Sequence, residues 1–149
     1  MTPEKFFKDA KQALNLPSNT KLTSTYAFGV DADYLAQLVL NGIKTATTSA
    51  YDLYEKDEHL PIQGEYDVVT DDHGNPVCVT YTEKVNICTY NQVPAKHAYL
   101  EGEGDRTMKY WRKVHNDFFT NEYHRMGKTF NPEISKMVLE NFYVVYPIK

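Results

Sequence analysis

Strand-forming segments lie in the middle and at the end of this chain, with helical segments inserted between them. Runs of β-favouring residues cover positions 44–49, 66–70, 77–82, 85–90 and 138–146. A doubly wound parallel sheet requires a regular alternation of strands and helices, which this order lacks. The order therefore predicts an α+β fold in which a small curled sheet or β-barrel carries helices packed on its outside.

Four stretches show the spacing of apolar residues that is typical of helices. Thr2-Pro3 is an N-cap and first-turn pair that begins the first helix, and Asp31 is placed to cap the second. Residues 94–100 form a short helix, and Asp105 is expected to cap a long one that extends to about residue 126. We expect the apolar face of this long helix to consist of Met108, Trp111, Val114, Phe118 and Met126.

The length and composition indicate one globular domain. The chain has 149 residues, of which 42% are hydrophobic, so we expect residues 1–149 to share a single core. No apolar run approaches the roughly 18 residues of a membrane-spanning helix, and the N-terminus lacks the apolar centre of a signal peptide. The sequence therefore predicts a cytoplasmic protein with no membrane partner.

Acidic residues outnumber basic ones by 20 to 16, which gives a formal net charge of -4. Such a molecule has no overall attraction for polyanions, so any contact with nucleic acid must be local. The charge is uneven, because residues 52–72 hold eight acids and one base, whereas residues 96–115 hold five bases and three acids. The basic segment is either a solvated surface or a local contact for RNA.

The histidines and cysteines do not suggest a metal site. Neither H-x-x-x-H nor C-x-x-C occurs among the five histidines and two cysteines. Cys78 and Cys88 are interpreted as reduced thiols in strands. We therefore expect no metal and no other cofactor.

A glycine, a lysine and a threonine follow the second helix in the pattern G-x-K-x-x-T, at Gly42, Lys44 and Thr47. In a strand, Lys44 and Thr48 share one face while Thr45 and Thr47 share the other. Strand periodicity alone therefore does not bring Lys44 beside Thr47, which requires a bend where the helix meets the strand. The segment is not a P-loop, because the order G-x-x-x-x-G-K-[ST] is absent.

Together with three other segments, this pattern resembles the signature of the ASCH domain family. The other segments are Phe28-Gly29, residues 100–105 followed by Tyr110-Trp111, and the aromatic strand at 142–146. The resemblance covers about residues 26–146 and leaves residues 1–25 as an N-terminal helical extension. It implies a PUA-like β-barrel with a cleft beside the signature that binds RNA or a modified nucleoside.

The resemblance also implies a chemistry. In ASCH proteins with demonstrated activity, a lysine, a threonine and a glutamate deacylate N4-acetylcytidine, and they correspond to Lys44, Thr47 and Glu101. The last of these follows the matching segment Lys96-His97-Ala98. In such a trio Thr47, or a water that it holds, attacks the acyl carbon. Lys44 acts as the base or stabilises the oxyanion, and Glu101 passes a proton to the leaving amine, so that no metal is needed.

Four further residues are predicted to bind the substrate: Thr48, Ser49, Arg106 and Tyr110. Ser49 replaces the arginine with which the family signature often ends, so this strand lacks a bidentate anion donor. Because other family members are ribonucleases or RNA binders, two alternatives stay open, a non-catalytic RNA-binding module and a metal-independent ribonuclease. The acidic isoelectric point, about 5.7, favours a small neutral substrate over long RNA. The sequence indicates no oligomeric state.

Overall fold

A computed structural model describes residues 1–148, which contain four α-helices and five β-strands. In chain order these are α1 (Pro3–Ala13), β1 (Leu22–Tyr26), α2 (Ala32–Leu40), β2 (Ala46–Ala50), β3 (Tyr66–Thr70), β4 (Pro76–Thr89), α3 (Ala95–Glu101), α4 (Met108–Arg125) and β5 (Lys136–Tyr146). Single turns of 3-10 helix follow β2 and β4. The predicted α+β content is confirmed. Within residues 1–148, no helix is long and apolar enough to cross a membrane.

The helix ends follow the local sequence signals in part. Thr2 caps α1 and Pro3 begins it, as predicted. Asp31 precedes α2 but makes no capping hydrogen bond with its side chain, because its backbone is left-handed with φ of 48°. The cap of α4 is Thr107 rather than Asp105, whose carboxylate accepts a hydrogen bond from the Thr107 hydroxyl instead.

The five strands form one sheet in the order β1-β3-β4-β5-β2, and only β1 and β3 run parallel. Within the described residues β1 and β2 do not pair with each other, so the sheet is open, which corrects the prediction of a closed barrel. The two edge strands lie too far apart along the long strands to meet. The β1–β3 pair joins β4 at residues 76–81, whereas β2 joins the part of β5 that faces residues 84–88. Bulges in the β4–β5 ladder bend these strands and curl the sheet.

Helices α1 and α2 cover opposite faces of the β3–β4 hairpin. Val68 and Val79 contact α1, whereas their chain neighbours Val69 and Cys78 contact α2. This follows from the alternation of side chains along a strand. Residues 1–25 therefore supply a helix to the core of the molecule, together with most of β1.

Helix α4 packs on the sheet with a different face from the one predicted. Trp111 is buried, as expected, but its buried companions are Phe119 and Tyr123. Three predicted members of the apolar face are exposed instead: Val114, Phe118 and Met126. The buried row follows an i, i+4 spacing from Trp111, and this spacing stays on one side of a helix over three turns. Val114 and Phe118 consequently point toward a cavity.

Candidate active site

Lys44 carries a buried charge at the junction between α2 and β2. Its side chain is 1% exposed. The ammonium donates hydrogen bonds to the Ala46 carbonyl at 2.8 Å, to Glu103 Oε2 at 2.9 Å and to Glu101 Oε1 at 3.3 Å. A buried ammonium is costly unless it is paired and hydrogen-bonded. These three acceptors, with the Glu101 carbonyl oxygen at 3.4 Å as a fourth, make the charge tolerable at this position.

Glu101 is the last residue of α3, and its carboxylate is held by several donors. It is 1% exposed. Its Oε2 accepts hydrogen bonds from Thr48 Oγ1 and from Trp111 Nε1, both at 2.7 Å, and lies 3.2 Å from His97 Nε2. Its Oε1 faces Lys44. The carboxylate therefore ties α3, α4 and β2 together at one point.

These contacts decide the charge of Glu101. Burial alone would raise the pKa of the carboxyl group, but the Lys44 ammonium and hydrogen bonds from His115 and His97 hold the pKa well below its usual range. Glu101 is therefore ionised throughout the physiological range, and its oxygen atoms have little room for a further partner.

Two histidines support this carboxylate from different helices. His97 Nε2 lies 2.9 Å from Thr48 Oγ1, and because the Thr48 proton goes to Glu101, His97 acts as the donor in this contact. His115 Nε2 lies 3.6 Å from Glu101 Oε1, and its ring stacks on Trp111 with centroids 4.1 Å apart. The sequence analysis did not assign either histidine to the site, although each stands four residues from a site residue on its own helix.

Glu103 is held over Lys44 by a loop that needs glycine on both sides. Gly102 has φ of 73°, and a Cβ atom there would lie 2.5 Å from the Ile43 carbonyl oxygen. Gly104 has φ of 59°, and a Cβ atom there would lie 2.4 Å from the Tyr110 ring. Neither position accepts a side chain without rearrangement. Glu103 is not among the site residues predicted from the sequence.

Thr47 lies on the edge strand β2 and faces the same cavity as Lys44. It is partly exposed, and within residues 1–148 its hydroxyl makes no side-chain hydrogen bond. By contrast, the Thr48 hydroxyl is fully engaged by Glu101 and His97. Thr47 is thus the hydroxyl that is free to contact a ligand.

A cavity of about 370 Å³ brings these groups together. Lys44, Thr47, Glu101 and Glu103 contribute its polar side. Its apolar lining is contributed by Phe28, Leu35, Val114 and Phe118. A concave site of this size with a few convergent polar groups fits a small organic molecule.

A wider groove of about 630 Å³ lies on the other side of His97. Its charged lining residues, such as Lys84, Lys96 and Glu83, are exposed to solvent. Exposed charges are well hydrated and provide little discrimination. We therefore assign the candidate site to the smaller cavity, which contains the buried charges.

The structure brings only some of the predicted residues together. Lys44, Thr47, Thr48, Glu101 and Tyr110 all line the cavity. Two others have partners elsewhere: Ser49 and Arg106. The Ser49 hydroxyl hydrogen-bonds to the hydroxyl of Tyr54 at 2.8 Å, and the Arg106 guanidinium lies 3.8 Å from the centre of the Tyr99 ring.

The basic segment is largely used within the protein. Arg106 Nε donates to the Tyr99 carbonyl at 3.0 Å. Arg112 donates to the carbonyl oxygen of Tyr90 at 2.8 Å and lies over the ring of the same residue. Arginines engaged in this way are poorly placed to bind phosphate, so the local excess of positive charge overstates the available contacts.

Comparisons with known proteins agree with the fold. The ASCH domain family model matches residues 24–146. The solved ASCH domain from Lactobacillus crispatus JV V101 has 33% identity and a TM-score of 0.88, with 97% of this chain and 94% of that chain covered. Protein EF3133 from Enterococcus faecalis V583, of the family model DUF984, has 30% identity and a TM-score of 0.84, with 99% and 96% covered. The search of curated proteins gave no significant match. Because the family model spans most of the sequence and a solved ASCH domain shares nearly its whole length, this chain belongs to the ASCH domain family.

Proposed function

We propose that this ASCH domain is a metal-independent amidohydrolase that removes the acyl group from an N4-acylated cytidine. The observation that carries the proposal is the buried Lys44 ammonium, fixed by Glu101 at the wall of a nucleoside-sized cavity that also holds the free Thr47 hydroxyl. A charge that is buried and fixed in this way is suited to stabilising a transition state, since it needs no reorganisation during the reaction.

In the proposed mechanism Lys44 stabilises the oxyanion. When the acyl carbon is attacked, its carbonyl oxygen gains negative charge, and the fixed ammonium stabilises that charge electrostatically. The low dielectric of the cavity strengthens this interaction relative to water. Glu101 keeps the ammonium in position and prevents it from turning away.

Thr47 positions the nucleophile. Its hydroxyl either attacks the acyl carbon or holds the water that does so, and the absence of a side-chain partner within residues 1–148 leaves it free for this contact. The apolar side of the cavity accepts the pyrimidine ring, with Phe28, Tyr110 and Phe118 as the aromatic neighbours. A flat base bound there presents its exocyclic acylamino group to the polar side.

The charge distribution favours a nucleoside over a long RNA strand. The two arginines of the basic segment, Arg106 and Arg112, are held by backbone carbonyl groups and by tyrosine rings. RNA affinity rises with the number of phosphates that are neutralised. We therefore favour the hydrolase over the two alternatives, an RNA-binding module and a ribonuclease, and the test below distinguishes them.

The test is to incubate the protein with N4-acetylcytidine and to measure cytidine and acetate by chromatography. We expect turnover by the wild type and a loss of roughly 100-fold or more in kcat for Lys44→Met, because one oxyanion donor is removed. Lys113→Met, a change at an exposed lysine on α4, is the matched control and should keep the wild-type rate.

A second variant guards against misfolding of Lys44→Met. Thr47→Val keeps the shape of a partly exposed side chain but removes its hydroxyl, and Thr45→Val, the same change just before β2 and outside the cavity lining, is its control. Turnover should be lost in Thr47→Val and retained in Thr45→Val. Intact N4-acetylcytidine after prolonged incubation with the wild type would reject the proposal, and cleavage or tight binding of labelled RNA would support one of the alternatives.

A further inference from the structure

Two carboxylates contact the Lys44 ammonium, and they differ in what else they touch. Glu101 accepts hydrogen bonds on Oε2 from Thr48 and Trp111, and its Oε1 faces Lys44 and His115. Both of its oxygen atoms are therefore already engaged by donors of the protein. A proton carrier must take up and release a proton at an oxygen that reaches the reacting atoms. Glu101 is poorly suited to that task.

Glu103 has the properties that Glu101 lacks. Its Oε2 lies 2.9 Å from Lys44 Nζ, and within residues 1–148 its Oε1 has no hydrogen-bond partner. Its side chain is 19% exposed, against 2% for Glu101, and it lines the cavity. One oxygen is thus anchored beside the oxyanion donor while the other is available to a ligand.

The backbone fixes Glu103 in this position. Gly102 packs against the Ile43 backbone and Gly104 against the Tyr110 ring, so the loop is clamped on both sides of the glutamate. Arg106 closes the turn, since its amide donates to the Glu103 carbonyl at 3.0 Å. A surface glutamate without a role would not need two such restrictive neighbours. The clamp holds the carboxylate within reach of a molecule bound against Lys44.

We propose that Glu103 is a further catalytic residue, the carboxyl group that carries a proton from the attacking water to the leaving amine. This inference rests on the proposed amidohydrolase function and assigns Glu101 a positioning role instead. As water attacks the acyl carbon, Glu103 Oε1 accepts one proton from that water. The resulting tetrahedral intermediate carries one hydroxyl group and one oxyanion, which Lys44 stabilises.

The second half of the reaction returns Glu103 to its starting state. The oxyanion re-forms the carbonyl group, the carbon–nitrogen bond breaks, and Glu103 donates its proton to the leaving nitrogen. The products are the free exocyclic amine and a carboxylic acid, which then loses its proton to solvent. One water is consumed, and no oxidant, reductant or other co-reactant is required.

The experiment measures kcat and KM for N4-acetylcytidine with two Glu103 variants. Glu103→Gln retains the size of the side chain but cannot carry the proton, and we expect kcat to fall by about 100-fold to 10,000-fold with KM changed by only a few fold. Glu83→Gln, at an exposed glutamate outside the cavity, is the matched control and should behave as the wild type. Glu103 is partly exposed, so we expect the Gln variant to fold.

Chemical rescue separates proton transfer from a structural role. Glu103→Ala leaves a gap that opens into the cavity, and added formate should restore turnover in a saturable manner. Formate should not restore Glu101→Ala, because this change removes the common partner of Lys44, Thr48 and Trp111 and so disturbs how they are positioned. A purely structural role for Glu103 predicts a lower melting temperature and no rescue.

The possible results distinguish this inference from the function on which it rests. If the wild type does not release cytidine, both are rejected. If the wild type is active and Glu103→Gln keeps its kcat within about twofold, only the inference is rejected. Loss of kcat together with rescue by formate supports both.

Discussion

At the scale of single residues, Glu140 of β5 is a carboxyl group that its surroundings make hard to ionise. Burial and the nearby charge of Asp67 raise its pKa to about 7, although the Thr82 hydroxyl donates a hydrogen bond to it at 3.1 Å and acts in the opposite direction. Glu65, Tyr26 and Tyr54 also face this region. Glu140 is the cross-strand neighbour of Thr47, so its charge lies close to the candidate site.

This raised pKa predicts a stability that falls as the pH rises from about 4.5 to above 7. The folded state holds the proton more tightly than the unfolded state, so the contribution of Glu140 is full below the ordinary value of 4.5 and is lost as the pH passes 7. Glu140→Gln should remove this dependence and raise the free energy of unfolding at pH 8 by on the order of 2 kcal/mol. Urea unfolding at pH 5 and pH 8 measures this change in the free energy of unfolding.

The control for that experiment is Glu133→Gln, an exposed glutamate that should leave the pH dependence unchanged. Glu101 acts in the opposite direction: its lowered pKa gives a contribution that is present above 4.5 and lost as the pH falls further. The two effects occupy different pH ranges and can be separated. An unchanged slope between pH 5 and pH 8 in Glu140→Gln would contradict the assignment.

Single residues also mark the limit of what the sequence predicts at the site. The family resemblance gave Lys44, Thr47 and Glu101, and the structure places all three at one cavity. Periodicity alone could not do so, since the meeting of Lys44 with Glu101 depends on contacts between residues that are distant in the chain. Glu103 was not predicted, because an acidic residue in a glycine-rich loop is usually solvated. Only the close packing of Gly102 and Gly104 distinguishes Glu103 from such a residue.

At the scale of elements, the loop between α3 and α4 determines how the site is assembled. It carries Glu103, and the helix before it ends in Glu101. The loop can turn sharply because Gly102 adopts a left-handed conformation at the C-terminus of α3. Both carboxylates therefore depend on one short segment of backbone.

Gly102→Ala should destabilise the protein more than Gly42→Ala. Both glycines have similar positive φ values, 73° and 75°, but only Gly102 faces a close neighbour, the Ile43 carbonyl oxygen. The strain common to both costs roughly 1–2 kcal/mol, and the clash at Gly102 adds to it. Thermal unfolding of the two variants gives the comparison. We also expect turnover to be lost in Gly102→Ala only, and equal melting temperatures would show that the loop is not clamped.

The elements themselves were predictable where the signal is local. Thr2-Pro3 begins α1, and the runs at 66–70 and 77–82 lie in β3 and β4, as predicted. Residues 77–82 and 85–90 were predicted as two strands, but the first and most of the second belong to β4, because the bulge near Glu83 bends the strand without ending it. The face of α4 could not be read from its composition, since apolar residues occur on both of its sides.

At the scale of the whole molecule, the net charge of -4 and the engaged arginines limit the attraction for nucleic acid. The lysines of α4 that remain exposed, Lys109 and Lys113, can reach only a few phosphates. Within residues 1–148, α4 therefore offers only a short basic surface to a strand.

Short single-stranded RNA should bind weakly and with a shallow dependence on salt. With about two phosphates neutralised, the slope of log K against log salt concentration is expected near -1.4. Fluorescence anisotropy at several salt concentrations provides the slope. A slope of about -5.6 or steeper, which corresponds to eight or more ion pairs, would favour the RNA-binding module over the hydrolase.

Helix α4 divides its residues between two tasks that place different demands on them. One row, with Trp111, Phe119 and Tyr123, is fixed by the core, while Val114 and Phe118 are partly exposed and line the cavity. Substitutions in the second row can therefore accumulate over evolution with little penalty in folding, and each one alters the shape of the space offered to a ligand. The same scaffold can in this way come to accept different molecules while Lys44 and Glu101 stay where they are.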